Sequence, residues 1–290
     1  MLCGVITGPS LDEIQNQINQ ASLYADILEI RWDCFDSTEF EISCKLPMIF
    51  TLRPISQGGY YLKSEEMRMK DLARLLEKKP NYVDLEYTIP FKVIEELKKN
   101  FPEVKTILSY HNFDNTPDNL NEVLFSLKKK TADLYKIATM ANTTIDALRM
   151  LNFTKLAGLQ VIGLCMGECG IITRILNHFT YACLEEKYTS KLSQLSLNTL
   201  INCYRYKTLN SETDIYGLIG NPVDKSPSNI EGLLSTKNVL SKYSCDIFLK
   251  FLSAFVFRFC TRIPHFFLAF TRGIIWTTIL FFFPEYCTTT

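Results

Sequence analysis

Residues 64–111 read SEEMRMKDLARLLEKKPNYVDLEYTIPFKVIEELKKNFPEVKTILSYH, and this stretch holds two helix-then-strand units. Leucines at 72, 75 and 76 recur at helical spacing in the first unit, as do Val93, Ile94 and Leu97 in the second. Each helical pattern is followed by a short strand pattern, YVDLEY (82–87) and KTILSYH (105–111). Strands that alternate with helices at this spacing predict a parallel sheet with right-handed crossovers.

The same alternation runs from the first residues to about residue 185. The other strand candidates are LCGVIT (2–7), ADILEIR (25–31), MIFTLR (48–53), ADLYKIA (132–138), LQVIGLCM (159–166) and FTYACL (179–184). This number of units in under 200 residues predicts an α/β fold of the (β/α)8 TIM-barrel class. An open doubly wound sheet is the alternative, and the lack of G-x-G-x-x-G after the first strand counts against it.

Charge and cysteine usage exclude several classes of protein. Lys plus Arg and Asp plus Glu are 31 each, so no overall positive charge attracts nucleic acid or anionic lipid. The opening MLCGVITGPS does not resemble a secretory signal. The ten cysteines are scattered without a zinc-like spacing, so we expect no metal site and a reduced, cytoplasmic protein.

Charged side chains recur at the carboxyl ends of the predicted strands, where barrel enzymes carry their chemistry. They are Glu29 and Arg31, Arg53, Glu86, His111, Lys136 and, after the seventh strand, Arg174. Each has a simpler explanation: Arg31 and Asp33 can form a local ion pair, His111 can be a core histidine, and Lys136 can be a solvated edge lysine. Their shared position in the repeat favours a single anion-attracting pocket.

A lysine and a histidine in such a pocket predict imine chemistry. A neutral lysine amine attacks a ketone to give a Schiff base, and a histidine can then remove a proton from the neighbouring carbon. We expect arginines around Lys136, which suit a carboxylate or hydroxyl-rich substrate. These residues support a lyase or an aldolase acting on a small anionic ketone, without choosing between the two.

Five motifs carry a family resemblance: LEIRWD (28–33), FTLRPISQGG (50–59), SYHNFDNTP (109–117), DLYKIATM (133–140) and MGECGIITR (166–174). In order and spacing they resemble type I 3-dehydroquinate dehydratases, over residues 1 to about 205. The resemblance implies that Lys136 forms the imine, that His111 is the general acid/base, and that Glu29, Arg31, Arg53 and Arg174 bind substrate. It implies loss of water from 3-dehydroquinate to give 3-dehydroshikimate, in the shikimate pathway of chorismate and aromatic amino acid biosynthesis, without a cofactor.

Two motifs depart from the family pattern. SKLSQ (190–194) keeps Ser190 and Gln194, the implied substrate-binding ends of a Ser-Ala-Pro-Gly-Gln loop, but replaces the three residues between them. Gln57 stands where many members have a Glu that orients the catalytic histidine. A glutamine can accept a hydrogen bond but supplies no charge, so we expect a modest loss of rate.

A second block resembles another enzyme. YGLIGNPVDKSPS (216–228) is similar to the opening of shikimate dehydrogenases, in which the positions of Ser226 and Ser228 bind shikimate. Neither that family's Asn-x-x-x-Pro-x-Lys segment nor a glycine-rich NADP loop follows, so NADP would serve only a complete dehydrogenase. We expect a truncated or frame-disrupted fusion without the second activity.

The predicted organisation is a dehydratase barrel over 1–208, a fragment of a second α/β domain over 214–230, and an irregular Phe-rich tail over 231–290. Residues 244–283 hold 11 of the 20 phenylalanines, and the window 263–284 is long enough to cross a bilayer, although Arg272 near its centre makes a membrane helix the less favoured interpretation. Another Schiff-base barrel such as a class I aldolase, or a non-catalytic remnant, remains the alternative. A homodimer is one option for the oligomeric state.

Overall fold

The computed structural model describes residues 1–35, 37, 39–184, 194–210, 213–219 and 238–243, with 214–219 and 238–243 described through their backbone. Eight parallel strands form one sheet in the order β7-β6-β5-β4-β3-β2-β1-β8. Their bounds are β1 Leu2–Ile6, β2 Ile27–Arg31, β3 Met48–Thr51, β4 Tyr82–Glu86, β5 Lys105–Asn112, β6 Leu134–Met140, β7 Val161–Met166 and β8 Thr180–Ala182.

Six α-helices follow strands of this sheet. They are α1 Leu11–Ala21, α2 Glu65–Leu76, α3 Phe91–Asn100, α4 Leu120–Lys128, α5 Thr144–Ala157 and α6 Ile171–Leu176. Side chains that cap the first turn mark where helices begin, since they satisfy backbone N–H groups that lack a partner within the helix. Ser64 accepts from the Met67 N–H before α2, and Thr143 forms a reciprocal capping box with Asp146 before α5.

The strand order confirms the predicted barrel. Neighbours in sequence are neighbours in the sheet, and β1 pairs with both β2 and β8, which gives a nearly closed (β/α)8 barrel. The alternative of an open doubly wound sheet is wrong, because that fold reverses its strand order at a switch point. The bounds of all eight strands differ from those predicted by two residues at most.

Alternate residues of each strand face the two sides of the barrel wall. In β6, Leu134 packs with an interior apolar cluster that includes Ile107 and Ile162, whereas Tyr135 and Ile137 belong to the larger core between strands and helices. The alternation of DLYKIATM predicts that Leu134, Lys136 and Ala138 share the inward face, and the packing of Leu134, Tyr135 and Ile137 agrees with this prediction. On strands β2, β4, β5 and β6, residues of this cluster precede the inward-facing polar residues.

Hydrogen bonds from several segments join the two ends of the sheet. The Asn177 side-chain amide donates to the carbonyl of Gly163 in β7, immediately before the chain enters β8. The buried Tyr206 hydroxyl lies 2.8 Å from the Asn177 carbonyl oxygen and 3.1 Å from that of Met1. Residues after β8 thus tie this strand to the start of the chain.

We expect Tyr206→Phe to lower the free energy of unfolding by about 1–2 kcal/mol, because the change removes the hydroxyl donor from the buried Asn177 carbonyl oxygen. Urea unfolding followed by circular dichroism measures this difference. Tyr60→Phe is the matched control, since Tyr60 is 66% exposed. Equal losses in the two variants would contradict a closing role for Tyr206.

The second predicted block forms a strand, β9, at Asp214–Ile219, which pairs in parallel with β10 at Asn238–Tyr243. Strand β10 lies within the segment 231–290, and the domain boundaries at 208 and 230 stay predictions. Its sequence NVLSKY has no clear apolar alternation, so only the pairing with β9 reveals it. Among the residues described, no helix is long and apolar enough to cross a membrane; the 263–284 window is not among them.

Candidate active site

The polar residues of the barrel interior form two layers above the apolar cluster. Side chains on one face of a strand recur every two residues. Two residues after the apolar Ile27, Tyr82, Ile107 and Leu134, the inward face carries a lower polar layer. This layer consists of Glu29, Asp84, Ser109 and Lys136, together with Thr51 of β3. A further step brings the rim residues Arg31, Arg53, Glu86 and His111. The strand ends predicted from sequence therefore meet at one face of the barrel.

Lys136 lies in the lower polar layer and is only 7% exposed. Its Nζ donates to Asp84 Oδ2 at 3.0 Å and lies 3.9 Å from Glu29 Oε1. The ammonium also sits 4.1 Å from the centroid of the Tyr181 ring, a distance at which a cation is attracted to the ring face. The expectation that arginines surround this lysine is wrong: two carboxylates and an aromatic ring contact it.

Asp84 connects Lys136 to the arginine above it. Its Oδ1 accepts from the Ser109 hydroxyl at 2.6 Å and lies 2.8 Å from Arg53 Nη2, while Arg53 Nη1 lies 2.7 Å from Glu86 Oε1. Although burial favours the neutral acid, the charges of Arg53 and Lys136 hold the pKa of Asp84 well below its usual range. The Asp84 carboxylate is therefore ionised and fixes both cations.

Arg31 forms the local ion pair that the simpler explanation proposed. Its Nε and Nη2 donate to Asp33 at 3.0 and 2.7 Å, and Asp33 Oδ2 also accepts the Tyr60 backbone N–H at 3.1 Å. Despite burial, the Asp33 carboxylate raises the pKa of Arg31. Because Arg31, Arg53 and Lys136 each have a carboxylate within 3.0 Å, the rim is more balanced in charge than the sequence suggested.

His111 stands one layer above Lys136 on the adjacent strand, because Ser109 pairs with Lys136 and His111 with Ala138 in the β5–β6 register. Its ring stacks on Phe113 with centroids 6.1 Å apart. Burial lowers the pKa of His111 well below its ordinary value, and the Arg53 and Lys136 charges act in the same direction while Asp84 opposes them. The imidazole is therefore neutral near pH 7 and able to accept a proton.

Gln57 ends a 3-10 turn, Ile55–Gln57, which is followed by Gly58. A Cβ atom on Gly58 would lie 2.8 Å from the Phe113 ring, which stacks on His111, and Gly58 has the left-handed φ of 74°. Among the described residues, neither Gln57 Oε1 nor His111 Nδ1 has a hydrogen-bond partner. Through Gly58 and Phe113, the turn that carries the neutral Gln57 amide is connected to the His111 ring.

We expect Gln57→Glu to raise kcat by about threefold to tenfold, because a carboxylate near His111 stabilises the imidazolium formed in catalysis. Steady-state kinetics at several pH values measure the effect, and the histidine should titrate at higher pH in the variant. Gln20→Glu, an exposed glutamine on α1, is the control. An unchanged pH profile in Gln57→Glu would contradict this role.

The remaining predicted residues divide between the described and the undescribed parts of the chain. Arg174 is buried in α6, where desolvation lowers the pKa of its guanidinium to about 10. Gln194 is half-buried, and its backbone carbonyl lies 3.9 Å from Cys183 Sγ. Ser190, Ser226 and Ser228 lie outside the described residues.

Sequence reasoning missed Asp84, Ser109 and Tyr181, which contact Lys136 or its partner. A signal for Asp84 was present, since Tyr82, Asp84 and Glu86 share one face of YVDLEY and Glu86 had been placed at the rim. Within the described ranges, no group of three His, Cys, Asp or Glu side chains could hold a metal ion. The site therefore offers an amine, a neutral imidazole and paired charges for chemistry.

Comparisons with known proteins agree on one family. The type I 3-dehydroquinase family model matches residues 2–211. A 3-dehydroquinate dehydratase of Thermococcus gammatolerans is 34% identical over 198 residues, covering 64% of this chain and 90% of that protein. The crystal structure of the 3-dehydroquinate dehydratase of Aquifex aeolicus is 26% identical with a TM-score of 0.58, over 72% of this chain and 99% of that one.

A longer relative extends the similarity beyond the barrel. The bifunctional chloroplastic 3-dehydroquinate dehydratase/shikimate dehydrogenase of Arabidopsis thaliana is 32% identical over 247 residues, which is 79% of this chain. The match spans only 41% of the Arabidopsis protein, so the chain corresponds to less than half of that relative. With the family model covering the whole barrel, the chain belongs to the type I 3-dehydroquinase family.

Proposed function

We propose that the chain removes water from 3-dehydroquinate to give 3-dehydroshikimate through a Schiff base on Lys136. The observation that carries this proposal is the position of Lys136 and His111 on the inward faces of adjacent strands, one layer apart at the carboxyl-end rim. Proton removal next to an imine needs a nucleophilic amine and a base at one substrate. Curated relatives named 3-dehydroquinate dehydratase support the substrate.

In the proposed reaction, Lys136 first gives up its ammonium proton to solvent. Its neutral amine then attacks the ring ketone, and loss of one water gives the imine. The neutral His111 takes a proton from the carbon next to the imine, and the electron pair moves toward the nitrogen to give an enamine. The enamine then expels the hydroxyl from the following carbon as His111 returns its proton to the leaving oxygen. Hydrolysis of the imine consumes one water and frees the lysine, so the net change is the loss of one water.

Substrate recognition is proposed for the residues around this pair. Arg174 is suited to the substrate carboxylate, because a buried guanidinium gains strongly from an anion placed against it. Glu29, Arg31, Arg53 and Gln194 are assigned to the hydroxyl groups and the ring, together with Ser190. Because the lysine itself withdraws the electrons, the reaction needs no metal and no dissociable cofactor.

Incubation of the purified chain with 3-dehydroquinate tests the proposal. We expect a conjugated enone to accumulate, seen by ultraviolet absorbance and identified as 3-dehydroshikimate by NMR spectroscopy. A class I aldolase would instead cleave or form a carbon–carbon bond in aldol substrates, and a non-catalytic remnant would leave 3-dehydroquinate unchanged. Either of these results would contradict the proposal.

The dehydrogenase-like segment is proposed to carry no activity in this chain. Residues 1–290 lack both the lysine-bearing segment and the glycine-rich NADP loop that shikimate dehydrogenases require. NADP-dependent oxidation of shikimate by the purified chain would contradict this. The cytoplasmic location and the oligomeric state, including a homodimer, remain predictions that fractionation and analytical ultracentrifugation test.

A further inference from the structure

Arg68 stands apart from the other charged residues of the outer helices. It lies on α2, outside the barrel wall, yet is only 2% exposed. Its guanidinium makes a bidentate contact with Glu65 at 2.8 and 2.7 Å and donates to the Leu52 carbonyl at 2.8 Å. The same group reaches the barrel, where Nη1 lies 2.9 Å from Glu86 Oε2. A helix side chain is thus in direct contact with the charged rim.

Glu86 is shared between two arginines. Its Oε2 faces Arg68 and its Oε1 lies 2.7 Å from Arg53 Nη1, with all three side chains at most 5% exposed. Arg53 Nη2 in turn lies 2.8 Å from Asp84, whose other oxygen holds Lys136 at 3.0 Å. Charges of alternating sign therefore run from α2 to the lysine, in the order Arg68, Glu86, Arg53, Asp84 and Lys136.

We propose that Arg68 is a positioning residue. It holds the Glu86 carboxylate in place, and thereby fixes how the Arg53 guanidinium is shared between the carboxylates of Glu86 and Asp84. Because Asp84 contacts both Arg53 and Lys136, the strength of its contact with Arg53 determines how firmly it holds the Lys136 ammonium. The inference rests on the proposed function, because it concerns the amine that attacks the substrate. Arg68 itself touches neither Lys136 nor the reacting atoms in this scheme.

The direction of the effect follows from the charges. Without Arg68, both oxygens of Glu86 attract Arg53. The Arg53 guanidinium then neutralises the Asp84 carboxylate less than it does in the wild-type chain. The Lys136 ammonium then becomes the main partner of Asp84 and is held more firmly by it. The other groups that face Lys136 are Glu29, Tyr181, His111 and Cys3, and none of them contacts Arg68.

Two single variants and their combination test the proposal. Arg68→Met removes the outer cation, Glu86→Gln removes the shared carboxylate, and the double variant removes both together. The readout is the pH at which trapping of the 3-dehydroquinate adduct by cyanoborohydride is half maximal, with kcat and KM measured separately. Arg74→Met on the same helix is the matched control, because Arg74 is 70% exposed and pairs only with Asp71 in the described part of the chain.

We expect Arg68→Met to move the trapping midpoint upward by roughly half a pH unit to one unit, and Glu86→Gln to move it downward. Because Arg68 is proposed to act through Glu86, the double variant should have the midpoint of Glu86→Gln alone, a departure from additivity that two independent effects do not produce. Lower kcat with little change in KM should accompany the upward shift. Arg74→Met should leave the midpoint unchanged.

Equal midpoints in all variants, or shifts of the same sign in both single variants, would overturn the proposal. If Arg68→Met does not fold, Glu86→Gln becomes the deciding variant, because its amide keeps the size of the carboxylate. A downward shift of its trapping midpoint supports the proposal, and an unchanged midpoint overturns it. Absence of any adduct in the wild-type chain contradicts the proposed function itself. The wild-type and variant results therefore separate the two failures.

Discussion

Lys136→Met will lower kcat for 3-dehydroquinate by roughly 10⁴-fold or more, because the change removes the amine with which the proposed reaction begins. The variant should keep its fold. Asp84 retains Arg53 at 2.8 Å and the Ser109 hydroxyl at 2.6 Å after the lysine is removed, so its carboxylate is not left unpaired. Thermal unfolding and steady-state kinetics measure the two properties in the same sample.

Lys105→Met is the matched control for this variant. Lys105 is exposed and begins β5, at the end of the barrel opposite the rim. The same substitution there should leave kcat within about twofold of wild type, since surface changes away from special features have small effects. Substantial turnover by Lys136→Met would contradict the assignment of Lys136 as the nucleophile.

His111→Ala will lower kcat by about 10²- to 10⁴-fold while adduct formation with substrate persists, because proton transfer is lost but the amine is not. The split between binding and turnover is the informative part of the result. His178→Ala is the control, because this histidine precedes β8 at the opposite end of the barrel and its pKa is also lowered by burial. Equal loss of activity in both histidine variants would contradict a specific role for His111.

The pH profile of the wild-type chain provides a second test of His111. Burial and the nearby Arg53 and Lys136 charges lower its pKa, so the imidazole stays neutral and able to accept a proton below the ordinary value of about 6.5. The acid limb of kcat/KM should therefore fall below pH 6.5. An acid limb above pH 6.5 would contradict a lowered pKa of His111 in the free enzyme.

The barrel could be predicted from sequence because each strand and helix reports its own periodicity. The helix pattern at 64–79 and the strand pattern at 82–87 correspond to α2 and β4, and the inward face of DLYKIATM followed from alternation alone. Strand β10 could not be predicted in this way, since NVLSKY carries no such pattern and is defined by its pairing with Asp214–Ile219.

The site was predictable in its residue types but not in its charge balance. Lys136 and Asp84 are 52 positions apart, and no local pattern states that their side chains meet at 3.0 Å. The burial of Arg68 is even harder to predict from the sequence, because an arginine on an amphipathic helix ordinarily faces solvent. This arginine is instead buried against Glu86. Contacts of this kind depend on the barrel register and on the packing of helices against it.

Chemical trapping of the imine tests the central claim most directly. The chain is incubated with 3-dehydroquinate and borohydride, digested, and the peptide containing Lys136 is weighed by mass spectrometry. We predict a reduced substrate adduct on Lys136 and none on Lys105 or on Lys136→Met. A folded chain that forms no adduct, or an adduct that forms only with aldol substrates, would contradict the account.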